Sequence, residues 1–143
     1  LAPGSHDLTT SLATWRYRLQ PRMEAAGMTL RWHMDTLPDL PTLTHDAIHH
    51  LLSILQEVVS NILKHNSADT LAFSARVDGQ AVMIELTDNG TPFLPDAGGG
   101  QQHGRGMDNI RCRAAAIGAQ AHWQPQASGT RFSLRVNGAG PPA

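Results

Sequence analysis

Leu12, Trp15 and Leu19, with Met23 continuing the row, recur at helical spacing through TTSLATWRYRLQPRMEAAG. The spacing predicts an amphipathic helix that Gly27 stops. Pro21 lies inside that pattern and predicts a kink or break. In MTLRWHMD, Met28, Leu30, Trp32 and Met34 alternate with polar residues, the pattern of a half-buried strand. Beyond the proline-punctuated loop TLPDLPTLT, a long helix is expected over roughly 44–65, with Thr44 as N-cap and Asp46 in the first turn. Its apolar stripe runs from Ile48 through Leu51, Leu52, Leu55, Val58, Val59 and Ile62 to Leu63. A β-hairpin follows: Leu71, Phe73, Ala75 and Val77 alternate, Asp78-Gly79 makes the turn, and Val82, Ile84 and Leu86 alternate back. Residues 91–104 read as loop. RGMDNIRCRAAAIGA reads as a helix that turns Met107, Ile110, Ala114 and Ile117 inward and ends at Gly118. Two closing strands surround a Ser128-Gly129 turn, and GAGPPA reads as a disordered tail. Strands that pair antiparallel, with the helices gathered on one face, make an α+β two-layer sandwich.

Composition narrows this picture at a few points. A chain of 143 residues suits one domain, 1–143, with a core over 8–136 and a tail from 137. A net charge of −1 gives no support to a nucleic-acid or acidic-membrane partner. The single cysteine, Cys112, excludes a disulfide framework and fits a reducing compartment. No apolar run reaches the ~18 residues of a membrane span. The opening LAPGSHDL lacks the basic start and apolar run of a signal peptide, and its Gly4-Ser5-His6 reads equally as a cloning remnant or native sequence.

Three segments carry candidate chemistry. On the long helix, Glu57, Asn61 and Lys64 lie within roughly 60° of one another at ~100° per residue, away from the apolar stripe. A solvated face accounts for such a row. Asn61, however, is a poor helix former deep inside a helix, and its carbonyl oxygen suits a hard cation such as Mg²⁺, with Lys64 and His65 as nearby phosphate donors. ELTDNG ends a strand on Asp88, Asn89 and Gly90. Turn chemistry explains these residues, and so does a buried Asp88 that accepts from the exocyclic amine of adenine and repels the carbonyl of guanine. In GGGQQHGRGMDNI, Gly104 and Gly106 flank Arg105 just before a helix, an arrangement that serves a flexible loop or an anion-binding cradle. Neither a Walker loop nor a dinucleotide fingerprint is present. His45 and His49 stand at i, i+4 with no third ligand in view, so solvated histidines are expected there.

In this order and spacing the segments resemble the ATP-binding catalytic domain of bacterial two-component sensor histidine kinases. These share the Bergerat fold with gyrase, Hsp90-type chaperones and mismatch-repair MutL proteins, a mixed and mostly antiparallel sheet with helices on one face. QEVVSNILKHNSA resembles the N-box, DNG the start of the first glycine box, GRGMDNIRCRAAAIGA the second glycine box with its helix, and SGTRFSLRV the closing strands. The resemblance spans about Leu8 to Val136 and is nearest to the short-lid subclass, whose partners are helix-turn-helix response regulators. It implies ATP and Mg²⁺ as ligands. Asn61 would hold Mg²⁺ and Glu57, the catalytic candidate, would orient a water or the metal shell. Lys64 and His65 would approach the phosphates. Asp88 would read adenine, with Gly90 beside it and Thr130 supporting that end. Gly104, Arg105, Gly106 and Met107 would cover the triphosphate. Where the first glycine box continues with a second glycine, this chain has Thr91-Pro92, and Pro92 fixes φ and removes a donor.

The resemblance further implies γ-phosphate transfer to a histidine on a separate dimerisation domain, with a response regulator acting indirectly. The fragment would be a monomeric cytoplasmic domain, without nucleic-acid or membrane contact, of a homodimeric parent anchored in the bacterial inner membrane. HDLTTSL has the His-acidic look of an acceptor motif, but too few residues separate His6 from the first strand to hold two dimerisation helices. Two other readings stay open. An anti-sigma-factor-type serine kinase shares the fold, although RCRAAAIGA argues against it, and Thr91-Pro92 would favour a degenerate nucleotide-binding or interaction module.

Overall fold

The computed structural model describes residues 7–40, 43–65, 67–92 and 104–137, and of His65, Gly104, Arg105 and Gly106 it describes the backbone alone. The order is α1 (Leu8–Ala25), β1 (Thr29–Met34), α2 (His45–His65), β2 (Thr70–Asp78), β3 (Ala81–Asp88), α3 (Gly104–Ala116), β4 (Ala119–Pro125) and β5 (Thr130–Asn137). The expected tail residue Asn137 belongs to β5, and the rest of that tail, like residues 93–103 of the expected loop, falls outside the described residues.

The strands form one sheet in the order β1-β2-β3-β5-β4. β1 pairs with β2 in parallel, and the other neighbours are antiparallel. This is the α+β sandwich expected from the patterning, with the mixed pairing that the resemblance implies and the alternation alone does not. Strand alternation decides what the helices cover: Leu71, Phe73 and Ala75 of β2, Val82, Ile84 and Leu86 of β3, and Phe132, Leu134 and Val136 of β5 are all buried and share one core with the inner faces of the helices. Val77 was expected to continue that row but is 44% exposed. β1 ends its pairing at Ala75, so the tip of β2 has a neighbour on one side only.

Aromatic packing seats α1. Trp32 and Phe73 are register partners across β1 and β2, with rings 3.8 Å apart and 10° from parallel. Trp15 of α1 packs 6.1 Å from each and donates its indole N–H to Gln56 Oε1 of α2 at 3.2 Å. α1 and α2 are thereby fixed to each other as well as to the sheet.

The helix ends follow local chemistry. Asp7, not foreseen as a cap, accepts from the Thr10 N–H at 3.3 Å and the Thr10 hydroxyl at 2.6 Å. These bonds hold its carboxyl below the usual carboxylate range. Asp7→Ala is expected to cost about 1 kcal/mol, read as a lower urea midpoint with an unchanged slope. At the other end, Met28 N–H bonds to Met23 C=O and Gly27 N–H to Glu24 C=O, with Gly27 at φ 70°. That is a Schellman stop, as Gly27 led one to expect. α1 does not break at Pro21. The proline faces solvent, as does Tyr17 one turn earlier, so water can take the carbonyl that the missing N–H would have paired.

Thr44 caps α2 as expected, its hydroxyl accepting from the Ala47 N–H at 3.2 Å. The β2–β3 turn lies one residue later than expected. Asp78 pairs with Ala81, and the two-residue loop is Gly79-Gln80. Only Gly79 has positive φ there, at 65°, which suits a type II′ turn with glycine first.

Candidate functional site

The sheet's helix-facing surface is apolar except at one end. Among the described residues, the buried polar side chains are Asp88, 4% exposed, and Thr130, 5% exposed. They close the inward rows of β3 and β5. Thr87 pairs with Arg131, so one further step of the same register sets Asp88 opposite Thr130. The resemblance implies that the two residues stand near each other, and the register sets them on neighbouring strands. Asp88 Oδ1 accepts from the Gly90 N–H at 2.9 Å, which bends the chain out of β3.

The chain that leaves α2 enters the sheet at this corner. α2 ends just before β2, whose residue Leu71 is the register partner of Asp88. α3 packs against α2, with Arg113 Nη1 3.0 Å from His50 Nδ1 near the start of α2. α3 begins at Gly104, one residue earlier than the expected Arg105, so Gly104, Arg105 and Gly106 form its first turn. The first four N–H groups of any helix lack an acceptor within it. Met107 is 4% exposed and packs into the core, anchoring that turn.

On α2, Glu57 and Asn61 are half-buried and Lys64 is exposed. Glu57 lines a groove of about 600 Å³ that lies over the polar face of α2, with Thr14 and Arg18 of α1 on one wall and Asn109 and Arg113 of α3 on the other. Asp88 and Thr130 do not line this groove. The row thus divides, Glu57 opening onto the helix layer while Asn61 and Lys64 lie nearer the end where α2 leads into β2. His49 lines the groove as well. Among the described residues, no three His, Cys, Asp or Glu side chains group closely enough to hold a metal ion.

At the corner, Asn89 makes bonds that a turn role does not require. Asn89 Oδ1 accepts from the N–H groups of Asp69 and Thr70, each at 3.0 Å, and its Nδ2 donates to Asp69 Oδ1 at 2.6 Å. Its backbone carbonyl accepts from the Ser128 hydroxyl at 3.0 Å. The Asn89 amide, and then the Thr70 hydroxyl, hold the Asp69 carboxyl below its ordinary value. Gly129 lies against the backbone of Asp88 and Asn89 so closely that no side chain fits. The only local cue was composition, since DNG and SG both read as turns.

No protein-family model matches the chain. It is 27% identical over 112 residues to the signal transduction histidine-protein kinase/phosphatase UhpB of Salmonella typhimurium, an alignment covering 78% of this chain and 21% of UhpB. The chain thus spans about a fifth of that relative's length. Among solved structures it is similar to full-length ShkA in complex with AMPPNP, with a TM-score of 0.76 and 23% identity over 96% of this chain and 31% of ShkA. It is also similar to the nucleotide-free catalytic domain of the histidine kinase ThkA, with a TM-score of 0.75 and 11% identity over 92% of each chain. With its mixed five-stranded sheet and its helix layer, this chain has the fold of histidine kinase catalytic domains.

Proposed function

We propose that this chain is the nucleotide-binding catalytic unit of a sensor histidine kinase, which binds Mg·ATP and presents the γ-phosphate to a histidine on another domain. The observation that carries the reading is the buried Asp88–Thr130 pair at the end of an otherwise apolar sheet face, beside the edge where α2 ends. A buried carboxylate accepts from the exocyclic amine of adenine, and a base with a carbonyl there leaves it facing another acceptor. The ShkA structure containing AMPPNP, an ATP analogue, supports the same ligand class.

The donor set fits magnesium bound chiefly through phosphate. Asn61 offers a neutral oxygen and Glu57, one turn away, a carboxylate, whereas a metal held by protein alone would need more ligands than the described residues group together. Bound there, Mg²⁺ would neutralise phosphate charge. Glu57 would orient the metal's water shell, Lys64 and His65 would approach the phosphates, and the first turn of α3, from Gly104 through Arg105 and Gly106 to Met107, would offer its N–H groups to them. In the transfer, the acceptor imidazole nitrogen bonds to the γ-phosphorus, the bond to the β–γ bridging oxygen breaks, and ADP leaves. The chain's part is positioning and charge neutralisation. The acceptor domain, the dimeric parent, its membrane anchor and the response regulator belong to the same proposal.

Calorimetric titration with AMPPNP tests it. Wild-type protein is expected to bind more tightly with Mg²⁺ than without, and Asn61→Ala to lose that difference with about tenfold weaker binding in Mg²⁺. Absence of binding at millimolar ligand would reject the reading.

A further inference from the structure

Asn89 does more than turn the chain. Its side chain spans from the end of β3 to the start of β2, where it satisfies two backbone N–H groups and grips the Asp69 carboxylate. Asp69 belongs to the short segment that leaves α2 just beyond Lys64. Its carbonyl also accepts from the Thr29 N–H at 2.8 Å, which anchors β1, and its carboxylate accepts from the Thr70 hydroxyl at 3.0 Å. From the other side, Ser128 ties the β4–β5 turn to the Asn89 carbonyl. Asp88 is the residue immediately before Asn89, and Asp69 belongs to the chain that leads from the end of α2, which carries Asn61 and Lys64, into β2.

We infer that Asn89 is a positioning residue that fixes the Asp88 corner against the chain leaving α2, and so sets the span between the base end and the metal end of the site. The inference rests on the proposed nucleotide site. A carboxylate reads a base only where its oxygens are held, and hydrogen bonds lose strength steeply with misalignment. Asn89 can act this way because it supplies an acceptor and a donor at once: Oδ1 for two N–H groups and Nδ2 for a carboxylate. Alanine supplies neither. Aspartate supplies the acceptor but sets a second carboxylate against Asp69, and like charges at that spacing disfavour each other.

The 143-residue chain allows a test by exchange. Asn89→Ala is expected to weaken AMPPNP binding about tenfold and to narrow its preference over GMPPNP, a change of selectivity that lost stability alone does not produce in the folded fraction. Asn89→Asp is expected to do the same. The double variant Asn89→Asp with Asp69→Asn keeps the acceptor for the two N–H groups, reverses the side-chain bond between positions 89 and 69, and turns the Thr70 hydroxyl from donor to acceptor, and it is expected to restore both affinity and preference. In parallel, NMR titration is expected to show the Asp69 carboxyl rising toward its ordinary value in Asn89→Ala.

Asn89→Ala with undiminished affinity and preference would overturn the inference while leaving the nucleotide site standing. Failure of the double variant to improve on Asn89→Asp would overturn it too, and so would an Asp69 carboxyl unmoved by Asn89→Ala. A wild-type chain that binds neither nucleotide rejects the site itself and, with it, the role assigned to Asn89, even if the carboxyl shift shows the clamp intact.

Discussion

Asp88→Asn is expected to weaken AMPPNP binding by roughly 2–3 kcal/mol, or 30- to 150-fold, and to turn the base preference toward guanine. The reason lies in the bond that Asp88 already makes. The Gly90 N–H needs an acceptor, and Asp88 Oδ1 supplies it at 2.9 Å. In asparagine the amide oxygen is held in that same place, so the NH₂ group takes the position of the second carboxylate oxygen. A donor then meets the exocyclic amine of adenine, where an acceptor met it before. Guanine carries a carbonyl at that position and gains what adenine loses. The substitution is nearly isosteric, so an unchanged circular dichroism spectrum can be required alongside the titration. A folded Asp88→Asn protein that binds AMPPNP as tightly as wild type would remove Asp88 from base reading.

How much of this was legible in the sequence depended on the range of the interaction. The rows Leu12-Trp15-Leu19-Met23 and Leu71-Phe73-Ala75 repeat at the period of their own element, so each helix or strand announces its buried face. Gly27 and Thr44 end and begin helices through bonds to residues a few positions away. Each of these was read correctly from neighbours alone. The structure departs from the local patterns at Pro21 and at the β2–β3 turn, each for a physical reason. Pro21 removes a bond on the face where water replaces it, so the expected break does not form. Asp78-Gly79 and Gly79-Gln80 are both plausible turns, and the choice is made by the pairing of Asp78 with Ala81, hence by the whole ladder.

The candidate site lay at the limit of such reading. Asp88 and Thr130 could be named as partners only through a resemblance, because nothing within either segment says that β3 and β5 are neighbours. β5 pairs with β3 although α3 and β4 lie between them in the chain. The Asn89–Asp69 bonds are similarly remote, and a DNG triplet gives no sign that its amide reaches the end of another helix's exit loop. The groove over α2 was also beyond reach, since it forms from three helices whose polar faces look individually like solvated surface.

Gly129→Ala is expected to be the most damaging single-methyl change at the site. At φ 92° an L side chain is already strained. A Cβ there would also lie 2.6 Å from the carbonyl carbon of Asp88 and 2.8 Å from Asn89 Cα, with the Asp88 carbonyl oxygen in contact as well. All three are backbone atoms of the corner, so no side-chain rotation relieves the overlap. Backbone strain and overpacking together should cost roughly 3–5 kcal/mol, a large share of a typical domain's stability, and lower Tm on the order of 10–20 °C. Gly27→Ala separates the two contributions. Gly27 has φ 70° but open space around its would-be Cβ, so that variant carries the backbone term alone, about 1 kcal/mol. If thermal melts show the two variants equally destabilised, the contact with Asp88 is not what restricts position 129. If Gly129→Ala is far worse, the fraction still folded in the cold should also bind AMPPNP poorly, because the displaced atoms are those that carry the Asp88 carboxylate.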